Sequence, residues 1–356
     1  MNRSKPATAA MVAACLLIQL GGCGGGGSGP STSAPVSPAP LPPPPSPSPP
    51  PPPPPPPASV ERDINPALTN SALTLNLSPH FVVNPAPDVA PAQRLFVMLP
   101  GTGGVPRFYR EIVRAGAVRG YHAIGLTYPN DQAIGDLCAG SQDTDCAGRA
   151  RLEVITGQNT SVLVNVDADN SIDRRLRALL VYLHTTYPSE GWGKYLIGSE
   201  VDWSRVTIAG HSQGAGHAAY SGKLRRLNRI VMFSGPGDVG VTPGSPALWM
   251  SLPNLTPANQ QFGFVHTADP LTPVGLVSRN WDLLGLGDFG PAISVDGAGP
   301  PFQGSHKLLT SAPPDPNPLA IASSPPHGAP ALDVATPRDA QGAPLYLPVW
   351  TYLAFP

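Results

Sequence analysis

RVTIAGHSQGAGHAAY, residues 205–220, reads as strand, sharp turn and helix. Val206, Ile208 and Ala209 form a short apolar run suited to a strand covered on both faces, and the small residues from Gly214 onward let a helix pack close behind it. Between them, GHSQG centres on Ser212. This is the GxSxG pattern of a nucleophile elbow, in which Gly210 and Gly214 leave room for a strained turn that presents a serine hydroxyl above a sheet. The motif acquires meaning from its context, and an apolar strand before it with a helix-compatible segment after it is the context it requires.

The flanking sequence repeats that rhythm. RLFVML, 94–99, is a buried-strand run followed at once by PGTGG, 100–104. Residues 106–120 predict a helix, with Pro106 at its start, Phe108, Ile112 and Val113 on one face and Gly120 at its stop. YHAIGLTY, 121–128, is the next strand. Beyond the elbow come strands at 229–233, ending in SGPGD, and at 262–266, ending in HTADP. Residues 292–295 predict a last strand, with His306 in the Gly-rich loop after it, and 346–355 predict a packed terminal helix. Alternating strands and helices indicate βαβ units and a parallel sheet.

Residues 129–168 interrupt the alternation with a polar insertion carrying Cys138 and Cys146. In an exported chain these two are expected to pair, contributing about 2–3 kcal/mol in the chain-entropy model. Their spacing fits neither a CxxC redox pair nor a usual zinc site. Asp167, Asp169 and Asp173 superficially suggest a calcium loop, but Ile172 and Ala178 stand where such a loop needs Gly and Glu. A helix beginning at Asn170 or Ser171 and running to about Thr186 is the better reading.

A nucleophile, a later acid and a later histidine in this order resemble the α/β-hydrolase superfamily over roughly residues 90–320. PGTGG, GHSQG, HTADP and GSH carry the resemblance. PGTGG with GHSQGAGHAA looks like a group of secreted bacterial α/β hydrolases. The GxSQGA core is also similar to cutinases, whose domain is smaller and whose disulfide plan differs. The resemblance implies an α/β-hydrolase fold: a mostly parallel central sheet with helices on both faces. A neutral serine needs an imidazole to take its proton and a carboxylate to orient the imidazole. By the family's arrangement the triad is Ser212, Asp269 and His306. Asp238 is the alternative acid and His327, in SSPPHGAP, the rival base. His211 and His217 are expected to serve packing, and His266 could line the site. The backbone N–H of Gln213 is the first oxyanion donor. Thr102 N–H, with Gly103 as the near alternative, is the second. The glycines of PGTGG are not a phosphate loop, since neither GK[ST] nor GxGxxG occurs there. No cofactor or metal is implied.

Composition sets the remaining bounds. Of 356 residues 13% are charged and the formal net charge is −1, which argues against a nucleic-acid partner. Residues 1–22 combine Arg3, Lys5 and an apolar run too short to span a membrane, and read as a signal peptide closing in a lipobox-like LGGC. Cys23 is then the expected lipidated residue, anchoring the protein to the bacterial cell envelope. Residues 23–57 form a Gly/Ser/Pro-rich linker, whose proline run from 42 should extend roughly 50 Å as polyproline II at about 3.1 Å per residue. Residues 58–356 are enough for one α/β domain. The expected activity is extracytoplasmic carboxylic ester hydrolysis through an acyl-enzyme. A polymer or peptide substrate on the same triad is the alternative, and a non-catalytic binding protein on the same scaffold is the alternative of another class. Segments 129–168 and 238–260 are expected to wall the pocket.

Overall fold

The computed structural model describes Gly29 and residues 58–242, 244–316 and 324–356. The predicted signal peptide, Cys23 and, apart from Gly29, the linker lie outside the described residues. The chain divides into units Met1–Pro54 and Pro55–Pro356, and the fold belongs to the second.

Among the described residues, nine strands form one sheet: β1 Val60–Ile64, β2 His80–Asn84, β3 Leu95–Leu99, β4 His122–Gly125, β5 Val206–His211, β6 Arg229–Phe233, β7 Gln261–His266, β8 Ile293–Ser294 and β9 Lys307–Thr310. Their order is β1-β2-β4-β3-β5-β6-β7-β9-β8. The β1–β2 and β2–β4 pairs are antiparallel and every other pair is parallel. Among the described residues, the α-helices of five residues or more are α1 Arg110–Val118, α2 Ile134–Cys138, α3 Cys146–Thr156, α4 Ile172–Thr186, α5 Gln213–Leu224, α6 Val274–Leu283 and α7 Leu347–Ala354.

Strand periodicity divides the core in two. Leu95, Val97 and Leu99 join Val206 and Ile208 on one face, against Leu176, Leu179 and Leu183 of α4, Ala215 and Ala218 of α5 and Trp281 of α6. Phe96 and Met98 face the other way with Ala209, Val231 and Phe233, against Ile112 and Val113 of α1 and Trp350 and Leu353 of α7. A mostly parallel sheet with helices on both faces, in this strand order, is the α/β-hydrolase fold.

The predicted helix at 172–186 is present, and Ser171 caps it by accepting from Arg174 N. The three aspartates of DADNSID take separate partners: Asp167 accepts from Asn170 N, Asp169 from Asn70 Nδ2, and Asp173 pairs with Arg225. Cys138 and Cys146 are bonded, with Cα atoms 5.8 Å apart, so α2 is tied to the start of α3. The predicted last strand is only the two-residue edge strand β8. The strand β9, unpredicted, lies between it and β7.

Several histidines are buried without a charge to pair with, which gives the fold a pH dependence. Burial pushes His80 and His211 down to about 3 and His122 down to about 4. The unfolded chain binds these protons below about pH 6.5 and the folded chain does not, so stability falls as pH is lowered from there. Each of the three should cost about 2 kcal/mol at pH 5 relative to neutral pH. Urea unfolding at pH 7.5 and pH 5 checks this, and an unchanged stability between the two refutes it.

Candidate active site

The elbow is built by close approach. Gly210 and Gly214 face each other so tightly that a Cβ on Gly210 would lie 2.0 Å from Gly214 O, and one on Gly214 would lie 2.3 Å from Leu99 O. Ser212 takes φ 55° and ψ −118° between β5 and α5. A non-glycine residue at such a positive φ costs about 1–3 kcal/mol, and here it is held by Ser212 N donating to Phe233 O at 2.9 Å. The hydroxyl therefore sits past the C-terminal end of β5, at the N-terminus of a helix whose dipole favours negative charge.

Asp269 follows β7, two strands away. Its side chain is fully buried, and Oδ2 lies 2.7 Å from His327 Nδ1. Thr272 Oγ1 donates to the same oxygen at 2.7 Å, while Leu271 N and Thr272 N donate to Oδ1. Burial raises the carboxyl pKa, but these donors and His327 outweigh it and hold Asp269 below the ordinary carboxylate value. With Nδ1 engaged, Nε2 of His327 is the ring atom left for a serine.

His327 rides on a helical turn, Pro325–Gly328, entered through Ser324 at φ 54°. Its carbonyl accepts from His211 Nε2 and from Ser234 Oγ, both at 2.8 Å. Since a carbonyl only accepts, His211 carries its proton on Nε2 and Nδ1 accepts from the Tyr109 hydroxyl at 3.0 Å. Tyr109 in turn accepts from Gly101 N at 3.0 Å. His211, the residue before Ser212, thus fastens the His327 loop to the PGTGG turn.

The base predicted from sequence is therefore corrected. His306 immediately precedes β9, whose first residue Lys307 pairs in parallel with Gly263 of β7. It lies at the N-terminal edge of the strands, whereas Ser212 and Asp269 follow their C-terminal ends. There it stacks between Phe262 and Phe289, with both centroids 4.0 Å away, and its Nδ1 contacts Gln261 O at 2.9 Å. Burial pushes its pKa down. The structure brings His327 and Asp269 together and leaves His306 apart.

The alternative acid is also accounted for. Asp238 forms a buried bidentate pair with Arg151 of α3 and accepts from Trp249 Nε1 at 2.8 Å. Arg151 spends its remaining reach on Gln213 O, at 3.0 Å. A Cβ on Gly216 would lie 2.1 Å from the guanidinium carbon, so glycine there lets the arginine lie on the helix. No sequence signal pointed to Arg151.

Of the three amides predicted as oxyanion donors, two are free. Those of Gln213 and Thr102 make no hydrogen bond among the described residues, whereas Gly103 N donates to Asn130 O at 2.8 Å and is spent. Gly103 is thereby removed as a donor. The two candidate donors are locked together, since Thr102 Oγ1 donates to Gln213 Oε1 at 2.9 Å and Ile134 N donates to the same oxygen at 3.2 Å. His266 is turned away, with Nδ1 accepting from Ala268 N and Nε2 donating to Ala312 O. His217 is buried against Tyr128.

No protein-family model matches this chain, and no curated protein sequence matches it. Among solved structures it is similar to TT1662 from Thermus thermophilus, with 12% identity and a TM-score of 0.35 over 70% of this chain and 87% of that one. It is also similar to Est2, a thermophilic esterase from the planctomycete Thermogutta terrifontis, with 14% identity and a TM-score of 0.35 over 71% of this chain and 81% of that one.

Proposed function

We propose that the protein is a serine hydrolase of carboxylic esters acting outside the cytoplasm. The observation that carries the reading is a strained serine elbow whose preceding residue, His211, is bonded to the His327 carbonyl at 2.8 Å, with the His327 ring held 2.7 Å from Asp269. Ser212 Oγ attacks the ester carbonyl carbon while its proton passes to Nε2 of His327. Asp269 holds the imidazole in the required tautomer and stabilises the imidazolium. The N–H groups of Gln213 and Thr102 receive the oxyanion, one such donor being worth about 3–4 kcal/mol in related chemistry. His327 then protonates the departing alkoxide. Water, deprotonated by the same nitrogen, attacks the acyl-Ser212 carbonyl, and the acid leaves as the serine regains its proton.

A fluorophosphonate probe tests this independently of substrate. It should add covalently to Ser212, as read by peptide mass spectrometry. Labelling elsewhere, or none in the folded protein, would sink the proposal. A polymer substrate is the second reading, favoured by an exposed apolar side chain beside the acid: Leu271, whose N–H donates to Asp269, is 62% exposed.

The N-terminal sequence supports export and lipidation at Cys23. Among the described residues no helix is long and apolar enough to cross a membrane. Expression in a bacterium should yield a chain beginning at an acylated Cys23. Intact-mass measurement on the detergent-extracted protein checks it, and an unmodified Cys23 refutes it.

A further inference from the structure

The sheet order assigns directions to the two halves of a bound ester. Ser212 follows β5; Thr102 and Asn130 follow β3 and β4 on one side of it, while Asp269 follows β7 on the other. The leaving oxygen must face the base that protonates it, so the alcohol half lies toward Asp269 and His327. That leaves the β3–β4 side open to the acyl substituent.

On that side lies a cavity of about 340 Å³, walled by apolar Ile134, Leu137 and Leu163 and by polar Asn130, Asp131 and Gln213. Gln213, whose amide is a candidate oxyanion donor, is the residue it shares with the candidate site; Ser212 and Thr102 do not line it. Its volume is at the lower end of the roughly 300–1,000 Å³ of small-molecule sites. The wall is also preformed. The Cys138–Cys146 bond ties α2 to α3, and Ile134 N is held on Gln213 Oε1. The loop carrying Leu163 and Val166 is pinned by the buried Glu153 carboxylate, which accepts from Thr160 N, Ser161 N and Val166 N at 3.0, 2.8 and 3.1 Å.

We propose that this cavity is an acyl pocket taking short, compact acyl groups, with any large alcohol or polymer end kept on the Asp269 side. The proposal rests on the ester-hydrolase reading and adds its substrate class. It is tested with the full chain on two series, p-nitrophenyl esters from acetate to dodecanoate and acetate esters of alcohols of increasing size. The wild type should prefer short acyl chains and discriminate weakly among alcohols. Leu137→Trp should lower kcat/KM for hexanoate about 10-fold or more while changing acetate less than about 3-fold, with the alcohol series keeping its order. Leu163→Trp, at an exposed position of the same lining, should do the same and covers the case in which the first variant fails to fold. Equal losses on acetate and hexanoate, or a reordered alcohol series, would overturn the acyl assignment alone. A wild type that cleaves no ester of either series would remove the hydrolase reading and the pocket with it.

Discussion

His327→Ala should lower kcat by about 10⁶-fold, the loss typical of removing the base from a serine triad, while His306→Ala should change it by less than about 10-fold. The contrast follows from where each ring lies. His327 presents Nε2 with Asp269 fixed on Nδ1, whereas His306 is stacked between Phe262 and Phe289 at the other edge of the sheet. His306→Ala removes a buried ring from between two aromatics, so its cost appears in stability, at about 1–3 kcal/mol. Steady-state hydrolysis of a short-chain ester, with thermal unfolding of both variants, separates the two outcomes. A dead, folded His306→Ala beside an active His327→Ala would reverse the assignment. The residual rate of His327→Ala should equal that of Ser212→Ala, because members of a triad acting as a unit are not additive.

How far the sequence carries depends on whether the forces that place a residue are local. β3, β5, β6 and β7 are legible because strands buried on both faces require continuous apolar runs, as in LFVML and RIVMF. The elbow is legible because only glycine tolerates the approach at 210 and 214. β1, VERDI, is not, because it is an antiparallel edge strand whose charged side chains pair with helix α1: Glu61 with Arg114 and Asp63 with Arg110. The histidine that pairs with Asp269 was missed for a related reason. β9 is four residues long and opens with Lys307, which reaches Asp282 at 2.6 Å, so KLLT lacks the run that marks a central strand. Had it been recognised, His306 would have preceded the last strand and His327 followed it. The prolines of PPHG, suited to opening a helical turn, were the remaining signal. Which PGTGG amide is free is decided by Asn130 O on another loop, and the Arg151–Asp238 pair spans 87 residues, so neither leaves a trace in local pattern.

That pair gives the second large effect, because it separates two aspartates with the same placement after a strand. Asp269→Asn should lower kcat by about 10⁴-fold by favouring the wrong tautomer of His327, while the amide keeps the size of the group it replaces. Asp238→Asn should act on the fold instead. The Arg151 and Asp238 side chains are only 2% and 5% exposed, and removing one charge of such a pair typically costs about 3–5 kcal/mol, because the other stays buried without a counter-charge. Its melting temperature should fall by about 10 °C, with activity well below the transition reduced far less than in Asp269→Asn. The double variant Arg151→Met/Asp238→Leu should recover much of the stability, since an apolar pair of similar volume leaves no orphaned charge. It also lacks the arginine's bond to Gln213 O, the carbonyl of the residue whose N–H is the proposed oxyanion donor. Stability recovered with kcat still depressed would therefore identify Arg151 as a positioning residue for the oxyanion hole. Full recovery of both would confine the ion pair to the fold. A stable Asp238→Asn with the larger loss of rate would make Asp238 the acid and overturn the site described above.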